Sequence, residues 1–460
     1  LYDKTGDKYY FERAWEISEK SKAAYLYELI RENEAKLYTN IPDTLLLREK
    51  IVKSQIFDLE RELQEETAKK ECDKILIDSL NEILFDKKFH ILENIKTALE
   101  VNFPEYYQLK YNNIVCSVEK ARAYAGKGTS IIEYYIGKES IFIFTINKDS
   151  LIFNEEVMDE KFISSVQELQ NYLSNMFQSK ERFNGFSQSS YYLYSILIDK
   201  ISTTIKKDNL IIIPDGILGY IPFEVLFTKK INPDSIYYKD SPYLINDHAI
   251  SYSYSVTLLT KPSPQKIKSP EKDLLAIAPS FSMSDDLPAF LTERGEEFID
   301  LIGSKIEVTS INKIFKGEQY IDSIATESNF KKFASNYKIL HIATHGLIND
   351  EDPMSSKLLF YRDNDSIQDG DLYTYELFNM QLNAELAVLS ACNTGYGKLE
   401  EGEGIISLAR GFLYAGVPSI VMTLWSVPDG TSAIIIEQFY KYLKMGYPKD
   451  LALQQAKLEY

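Results

Sequence analysis

Hydrophobic positions recur at helical spacing through the first quarter of the chain. Between residues 9 and about 110, apolar side chains return every three or four residues, as on the buried face of an amphipathic helix. Pro42 and Pro104 predict breaks between helices. No 34-residue repeat is visible, so the pattern predicts a helical segment over 1–128, in its simplest form a hairpin packed on the domain that follows.

From about residue 129 the pattern changes to runs of β-branched and aromatic residues. Such runs predict strands, and within 129–260 they alternate with two helical stretches at 162–177 and 189–206. The strands are predicted at "TSIIEYYIG", "ESIFIFTIN", "SLIFNEEV", "NLIIIPDG" and "HAISYSYS". A Pro- and Lys-rich linker, "TKPSPQKIKSPEK", then separates this first α/β domain from the rest of the chain.

Residues 273–460 predict a second α/β domain. Its strands are predicted at "DLLAIAP", "KIEVTS", "KILHIAT", "ELAVLSA" and "PSIVMTLWS", with helices at 291–303, 326–335, 405–416 and 431–445. Near-continuous apolar strands that alternate with helices are typical of a parallel sheet covered on both faces. The fold class predicted for the chain is therefore α/β, preceded by a helical segment.

Composition narrows the classes of function. The chain has 460 residues, of which 45% are apolar, enough for about three domains. A net charge of -17 argues against general binding to nucleic acid or to anionic membranes. No run of about 18 apolar residues predicts a membrane span, and three widely spaced cysteines form no disulfide framework. We therefore expect a cytoplasmic protein. A start at Leu1, without Met, and an end inside a helical pattern suggest a piece of a longer protein.

Two of the predicted strands end in residues that can do chemistry. "KILHIATHG" leads to His345 and Gly346, and "ELAVLSACNTG" leads to Cys392, 47 positions after the histidine. In open α/β sheets, ligands bind outside the carboxyl ends of the strands. We therefore expect both side chains at the functional edge of the sheet. Caspases place their histidine about 50 residues before the cysteine, and "SACNTG" is a relaxed version of their cysteine motif.

A cysteine beside a histidine can act as a nucleophile. A free thiol is mostly protonated at neutral pH, so an imidazole nearby is needed to supply the thiolate and to protonate the departing amine. The backbone N–H groups of Gly346 and Cys392 are candidates for stabilising the oxyanion. A lone cysteine after a strand is more often a core residue, but its pairing with His345 favours a site.

Metal and nucleotide sites find no support in the sequence. His341 lies four residues before His345, but the residues between them are typical of a strand and no third ligand is suitably spaced. We therefore interpret His341 as a hydrogen-bonded residue of the strand interior. "GYGKLEEGEG" lacks a G-x-G-x-x-G pattern and no phosphate-binding GK[ST] occurs, so no metal and no cofactor is expected.

Four segments together resemble the CHAT domain, a caspase-like peptidase of clan CD that is often fused to tetratricopeptide repeats. They are "LIIIPDGILGYIPFEVL", "ILHIATHG", "AELAVLSACNTG" and "EGEGIISLARGFLYAGVPSIVMTLWSVPD". The resemblance runs from about residue 129 to the end. It implies a caspase-like parallel-sheet sandwich in two subdomains, one catalytically empty (129–260) and one active (273–460). Residues 1–128 then resemble the end of a repeat-type regulatory region.

The resemblance also implies a function. His345 and Cys392 match the family's dyad, and Asp429 resembles the acidic residue that receives a basic P1 side chain in separase-like relatives. Asp429 is equally compatible with a helix N-cap. The expected protein is a cysteine endopeptidase of bacterial defence or programmed death. It would be controlled by a regulatory protein partner and would cleave a protein substrate, gasdermin-like or CRISPR-associated. The alternative is a non-catalytic scaffold with a caspase fold.

The resemblance is incomplete at both ends of the chain. Residues 1–128 are too few for a full repeat array, and the family's closing strand is absent before Tyr460. We expect the missing regulatory portion to lie upstream.

Overall fold

A computed structural model describes most of the chain and divides it into two compact units. The described residues are 5–22, 24–35, 41–67, 69, 73–111, 115–174, 179–205, 209–232, 238–261, 270–281, 301–363, 368–391, 395, 397–400, 402–425, 427 and 429–460. One unit comprises Leu1–Tyr27 and Val115–Tyr460, and the other comprises Glu28–Ile114. The three-domain division at 128 and 260 stays a prediction.

The helical part contains more helices than the hairpin that the periodicity suggested. The helices are α1 (Lys8–Lys20), α2 (Ala24–Ala35), α3 (Asp43–Thr67), α4 (Lys74–Phe85), α5 (Glu93–Asn102), α6 (Pro104–Tyr111) and α7 (Val118–Ala125). A π-helical segment, Asp86–Leu92, joins α4 to α5. Pro42 and Pro104 lie at helix starts, where the missing N–H of proline costs nothing. The core of the Glu28–Ile114 unit is formed by Ile41, Val52, Ile56, Leu84, Ile95, Leu99 and Tyr106.

The first sheet is mixed, with strand order β3-β2-β1-β4-β5. Its strands are β1 (Thr129–Ile136), β2 (Ser140–Ile146), β3 (Leu151–Val157), β4 (Asn209–Ile213) and β5 (Ala249–Tyr252). The first three pair antiparallel because short turns join them, whereas β1, β4 and β5 are parallel. Its helices are α8 (Glu160–Ser174), α9 (Lys180–Leu197) and the short α10 (Val256–Leu259).

Helix α1 packs on this first sheet. Phe11 and Trp15 are almost fully buried and meet the ring of Phe144 edge-on, at centroid distances of 5.5 and 5.8 Å. The indole Nε1 of Trp15 also donates to the carbonyl of Cys116 at 2.9 Å. The first helix is therefore part of the sheet-containing unit.

The second sheet is entirely parallel, with strand order β15-β12-β8-β6-β7. These strands are β6 (Lys272–Ala278), β7 (Glu318–Ile321), β8 (Tyr337–Ala343), β12 (Leu386–Ser390) and β15 (Ile420–Met422). Helices α11 (Ile302–Ile314), α15 (Asp429–Lys444) and α16 (Lys449–Glu459) cover one face. Helices α12 (Glu327–Phe333), α13 (Thr374–Leu377) and α14 (Leu408–Tyr414) cover the other. The prediction of an α/β fold with a doubly covered parallel sheet is confirmed.

Five short strands form two smaller sheets beside it. Strands β9 (Gly346–Leu347), β10 (Lys357–Leu359) and β11 (Asp371–Tyr373) form a three-stranded sheet, and β13 (Gly397–Glu400) and β14 (Gly404–Ser407) form a hairpin. Gly402 and Gly404, with φ angles of +74° and +78°, supply the left-handed conformations of the hairpin turn.

Two local predictions are wrong. "KIEVTS" is not a strand but lies within α11, because Ser304, Val308 and Ile311 are buried at helical spacing while Ile306 is 60% exposed. A strand would place 306 and 308 on the same face. The helix predicted at 405–416 begins only at Leu408, because β14 occupies the residues before it. The helix predicted at 291–303 lies largely outside the described residues.

Candidate functional site

The ends of β8 and β12 bring the candidate dyad to one edge of the second sheet. The two strands are adjacent and parallel, and their register pairs Ala343 with Ser390. His345 follows Ala343 by two residues, and Cys392 follows Ser390 by two residues. Cys392 itself lies outside the described residues, so the geometry of the site is described from His345 and from Ala391, which precedes the cysteine.

His345 is half-buried, and both its backbone and its imidazole contact neighbouring elements. Its carbonyl accepts a hydrogen bond from the backbone N–H of Leu359 at 3.0 Å, which fixes its backbone against β10. Its imidazole packs against the ring of Phe281, which follows β6, with the ring centroids 4.9 Å apart and the planes at 59°. The histidine therefore leaves its strand with a defined direction while part of its surface reaches solvent.

The backbone N–H of Gly346 is directed away from the strand with which it pairs. Gly346 lies opposite Leu358. The neighbouring pair, His345 and Leu359, is hydrogen-bonded, with the N–H of Leu359 donating to the carbonyl of His345. Gly346 is thus in a non-hydrogen-bonded pair, whose N–H groups point away from the partner strand. Since β9 is the edge strand of its sheet, this amide faces no strand of that sheet among the described residues. Its contact with an oxyanion stays a prediction.

Thr423 holds the segment that contains Cys392 at both of its ends, a role that the sequence did not reveal. Its hydroxyl donates to the carbonyl of Ala391 at 2.6 Å, and its own carbonyl accepts from the N–H of Gly395 at 2.8 Å. Thr423 directly follows β15, which pairs with β12 in parallel. A threonine after an apolar strand carries no distinctive signal, and only the pairing of distant strands brings it here.

His341 is inaccessible to solvent and lies in the interior of β8, as the strand pattern predicted. Its Nδ1 is 3.3 Å from the hydroxyl of Tyr440 on α15, and its Nε2 is 3.0 Å from Oε1 of Glu307 on α11. Ser390 donates its hydroxyl to the other oxygen of Glu307 at 3.1 Å. Among the described residues, no group of three or more His, Cys, Asp or Glu is arranged to hold a metal ion.

The position of Asp429 does not decide between its two predicted roles. Helix α15 begins at Asp429, and its side chain lies outside the described residues. Of the acidic residues near the dyad, Asp352 is exposed and caps a short helical turn, accepting from the N–H of Met354 at 3.2 Å. Glu403 forms an ion pair with Arg410. The negative charge around the site is therefore partly neutralised.

The hairpin after the cysteine contacts two other parts of the sheet-containing unit. The hydroxyl of Tyr220 donates to the carbonyl of Gly397 at 2.9 Å, and Tyr220 ends the helical turn Gly216–Tyr220 within "PDGILGYIPFEVL". At the other end, the carboxylate of Glu403 accepts from the N–H of Leu26 at 3.3 Å. Residues near the chain start and in the first α/β domain thus meet the element that follows Cys392.

Comparisons with known proteins agree with the fold. The family model of the CHAT domain matches residues 188–460, more than half of the chain, and begins later than the resemblance, which ran from about residue 129. Tetratricopeptide repeat protein 28 from Homo sapiens is 26% identical over 181 residues, 33% of this chain and 7% of that protein. Tetratricopeptide repeat protein 28 from Mus musculus is 31% identical over 81 residues, 18% and 3% of the respective chains. The chain thus spans less than a tenth of either relative.

Proposed function

Because the chain belongs to the CHAT-domain family, whose fold is that of caspase-like peptidases, we propose that it is a cysteine endopeptidase with His345 and Cys392 as its catalytic dyad. The register of β8 and β12 carries this proposal. The paired strand ends, Ala343 and Ser390, lie on neighbouring backbones about 4.8 Å apart, and His345 and Cys392 each follow two residues later in the chain. We infer that a thiol and an imidazole that leave neighbouring strand ends in this way come within reach of a shared proton.

The proposed reaction follows from this arrangement. The Cys392 thiolate attacks the carbonyl carbon of the scissile peptide bond, and the carbonyl oxygen becomes an oxyanion that the N–H of Gly346 stabilises. His345 then gives its proton to the departing amine, which leaves a thioester on Cys392. Water, deprotonated by His345, hydrolyses the thioester and restores the thiol. Losing one oxyanion donor in such a site costs about 10²–10³ in rate.

We extend the proposal to substrate preference. Asp429 begins the helix that follows β15, the neighbour of β12, so its carboxylate is a candidate for receiving a basic P1 side chain. Exposed acidic residues at 350–352, after the histidine, favour a cationic substrate as well. The preferred substrate would then be a protein cleaved after Arg or Lys.

Regulation completes the proposal. A cytoplasmic endopeptidase must be quiet until it is signalled, and the helices before β1 are the route from an upstream region. The two relatives are named for tetratricopeptide repeats, which supports an upstream repeat region in this protein as well. We place it in bacterial defence or programmed death, with a regulatory protein partner and a gasdermin-like or CRISPR-associated substrate.

Among the described residues, no helix is both long and apolar enough to cross a bilayer.

Dyad substitution tests the proposal directly. Cys392→Ala and His345→Ala should each abolish cleavage of candidate partner proteins and leave the melting temperature nearly unchanged. His341→Ala should retain measurable turnover, because His341 lies in the strand interior rather than at its end. Cleavage that survives Cys392→Ala would exclude a nucleophile at this site. A wild type that binds its partner but never cleaves it would favour a scaffold.

A further inference from the structure

A buried polar cluster lies near the carboxyl ends of β8 and β12. Glu307, His341 and Tyr440 are 3%, 0% and 0% exposed, and Ser390 completes the cluster. They lie on the face of the sheet that is otherwise covered by apolar residues such as Val308 and Phe439. Burying a carboxylate and an imidazole costs several kcal/mol unless each finds partners, and apolar residues of similar volume are often as stable or more so. Stability alone therefore does not explain why these polar residues are buried here.

The hydrogen bonds of the cluster have a direction. Burial, with a smaller contribution from the Glu307 carboxylate, raises the pKa of Tyr440 well above its usual range, so its hydroxyl keeps the proton. That hydroxyl is 3.3 Å from Nδ1 of His341. Nε2 and Oε1 are 3.0 Å apart but poorly aligned for a hydrogen bond. The well-formed bond to Glu307 comes from Ser390.

Three members of the cluster lie on elements that carry or lead to a candidate site residue. His341 is on β8, which leads to His345, and Ser390 is on β12, two residues before Cys392. Tyr440 is on α15, the helix that begins at Asp429. Glu307, on α11, is the common partner of the two strands. One carboxylate thus accepts a hydrogen bond from Ser390 at the end of β12 and contacts His341, two residues before the end of β8.

We propose that Glu307 is a positioning residue for the dyad. Through its bond to Ser390 and its contact with His341 it fixes the end of β12 relative to the end of β8, and thereby sets the spacing of the thiol and the imidazole. This inference rests on the proposed function. A displacement of about 1 Å in reacting groups can lower the rate about 10²-fold. A partial loosening of the two strand ends should therefore lower the rate about tenfold.

Alkylation of Cys392 by iodoacetamide, followed across pH by peptide mass spectrometry, tests the proposal without a substrate. Ser390→Ala removes the bond from β12 to Glu307 and should lower the rate at pH 7 about tenfold. Glu307→Ala should do the same, whereas Glu307→Gln, which can still bond to Ser390, should stay within about threefold of wild type. With a cleavable substrate, kcat should fall about tenfold and KM should stay within about twofold.

Ser189→Ala is the matched control. It removes a hydrogen bond, 2.9 Å long, from a buried serine hydroxyl to the exposed carboxylate of Glu168 in the first α/β domain. It should leave the rate of Cys392 alkylation unchanged. If Ser390→Ala behaves like this control, Glu307 has no positioning role.

The same data distinguish the two proposals. A wild-type Cys392 that titrates as an ordinary thiol refutes the dyad. A wild-type Cys392 that titrates as a dyad thiol but is alkylated at an unchanged rate in Ser390→Ala keeps the dyad and refutes positioning by Glu307.

Discussion

The docking of α1 on the first sheet should depend on pH through Glu19, which is 3% exposed. Its carboxylate accepts from the N–H groups of Val256 and Thr257 at 2.8 and 2.7 Å. Burial and the neighbouring Glu133 carboxylate nevertheless raise the pKa of Glu19 to about 8. Glu133 in turn is bonded to Ser18 and Lys22. Two carboxyl groups and one ammonium group therefore share a nearly dry site at the end of α1.

The direction of the effect follows from proton binding. The folded protein holds the Glu19 proton more tightly than the unfolded chain, where the ordinary pKa of 4.5 applies. The stability from this group is therefore fully present below pH 4.5 and is lost as pH rises through about 8. Between pH 5.5 and pH 8 the loss amounts to about 3 kcal/mol. Carboxylates whose pKa is lowered, such as Glu16 and Glu318, change stability only below pH 4.5.

Urea unfolding followed by the fluorescence of Trp15 measures this effect. The chain has two tryptophans, so a Trp425→Phe background isolates the one on α1. We expect a higher unfolding midpoint at pH 5.5 than at pH 8, and we expect Glu19→Gln to flatten that dependence. The quantity compared is the slope of the unfolding midpoint with pH. The midpoint itself is not compared, because Glu19→Gln removes one hydrogen-bond acceptor at every pH.

Glu16→Gln, on the exposed side of the same helix, is the control and should keep the wild-type slope. A wild type whose midpoint is the same at both pH values, or a Glu19→Gln variant with an unchanged slope, would show that burial does not hold a proton on Glu19.

Three further predictions concern the site. Thr423→Val removes the hydroxyl bond to Ala391 and should lower Cys392 alkylation about tenfold, whereas Thr423→Ser should not; equal rates would mean that this contact does not order the segment. Tyr220→Phe removes one hydrogen bond to Gly397 and should cost about 0.5–1.5 kcal/mol in urea unfolding, and no loss would mean that water replaces it. Asp429→Asn should reduce cleavage after Arg or Lys about 10- to 150-fold relative to Met or Leu, measured with peptide libraries, if the carboxylate receives P1. If Asp429 only caps its helix, Asp429→Ala lowers the melting temperature and leaves the preference unchanged.

Sequence patterns that fit only one kind of element predicted the structure correctly. Long apolar runs such as "KILHIAT" and "ELAVLSA" are strands because only a doubly covered parallel sheet buries them whole, and His345 follows the strand end as expected. "KIEVTS" misled because β-branched residues suit a strand locally, while the burial of Val308 and Ile311 is decided by packing on the sheet. Tertiary contacts override such local preference.

The buried cluster could not be predicted from the sequence. Glu307 lies between Ile306 and Val308 in "KIEVTS", a segment whose pattern predicted a strand, in which Glu307 would be on the face opposite to theirs. Its partners come from β8, β12 and α15, at least 30 residues away along the chain. The same holds for Thr423, whose partner Ala391 directly follows another strand, β12. Only the strand order of the second sheet, which joins β15 to β12 and β12 to β8, brings these groups together.

The all-parallel order of the second sheet also sets when the proposed site can form during synthesis. Strand β8 emerges from the ribosome well before β12, and Thr423, after β15, emerges later still. At about 5–20 residues per second, β8 waits several seconds for its neighbours. Pairings between such distant strands are slow, because the connecting chain must first be ordered. A nascent chain therefore carries His345 without its partners, and cellular proteins would meet the proposed dyad only after β12 and β15 have been synthesised.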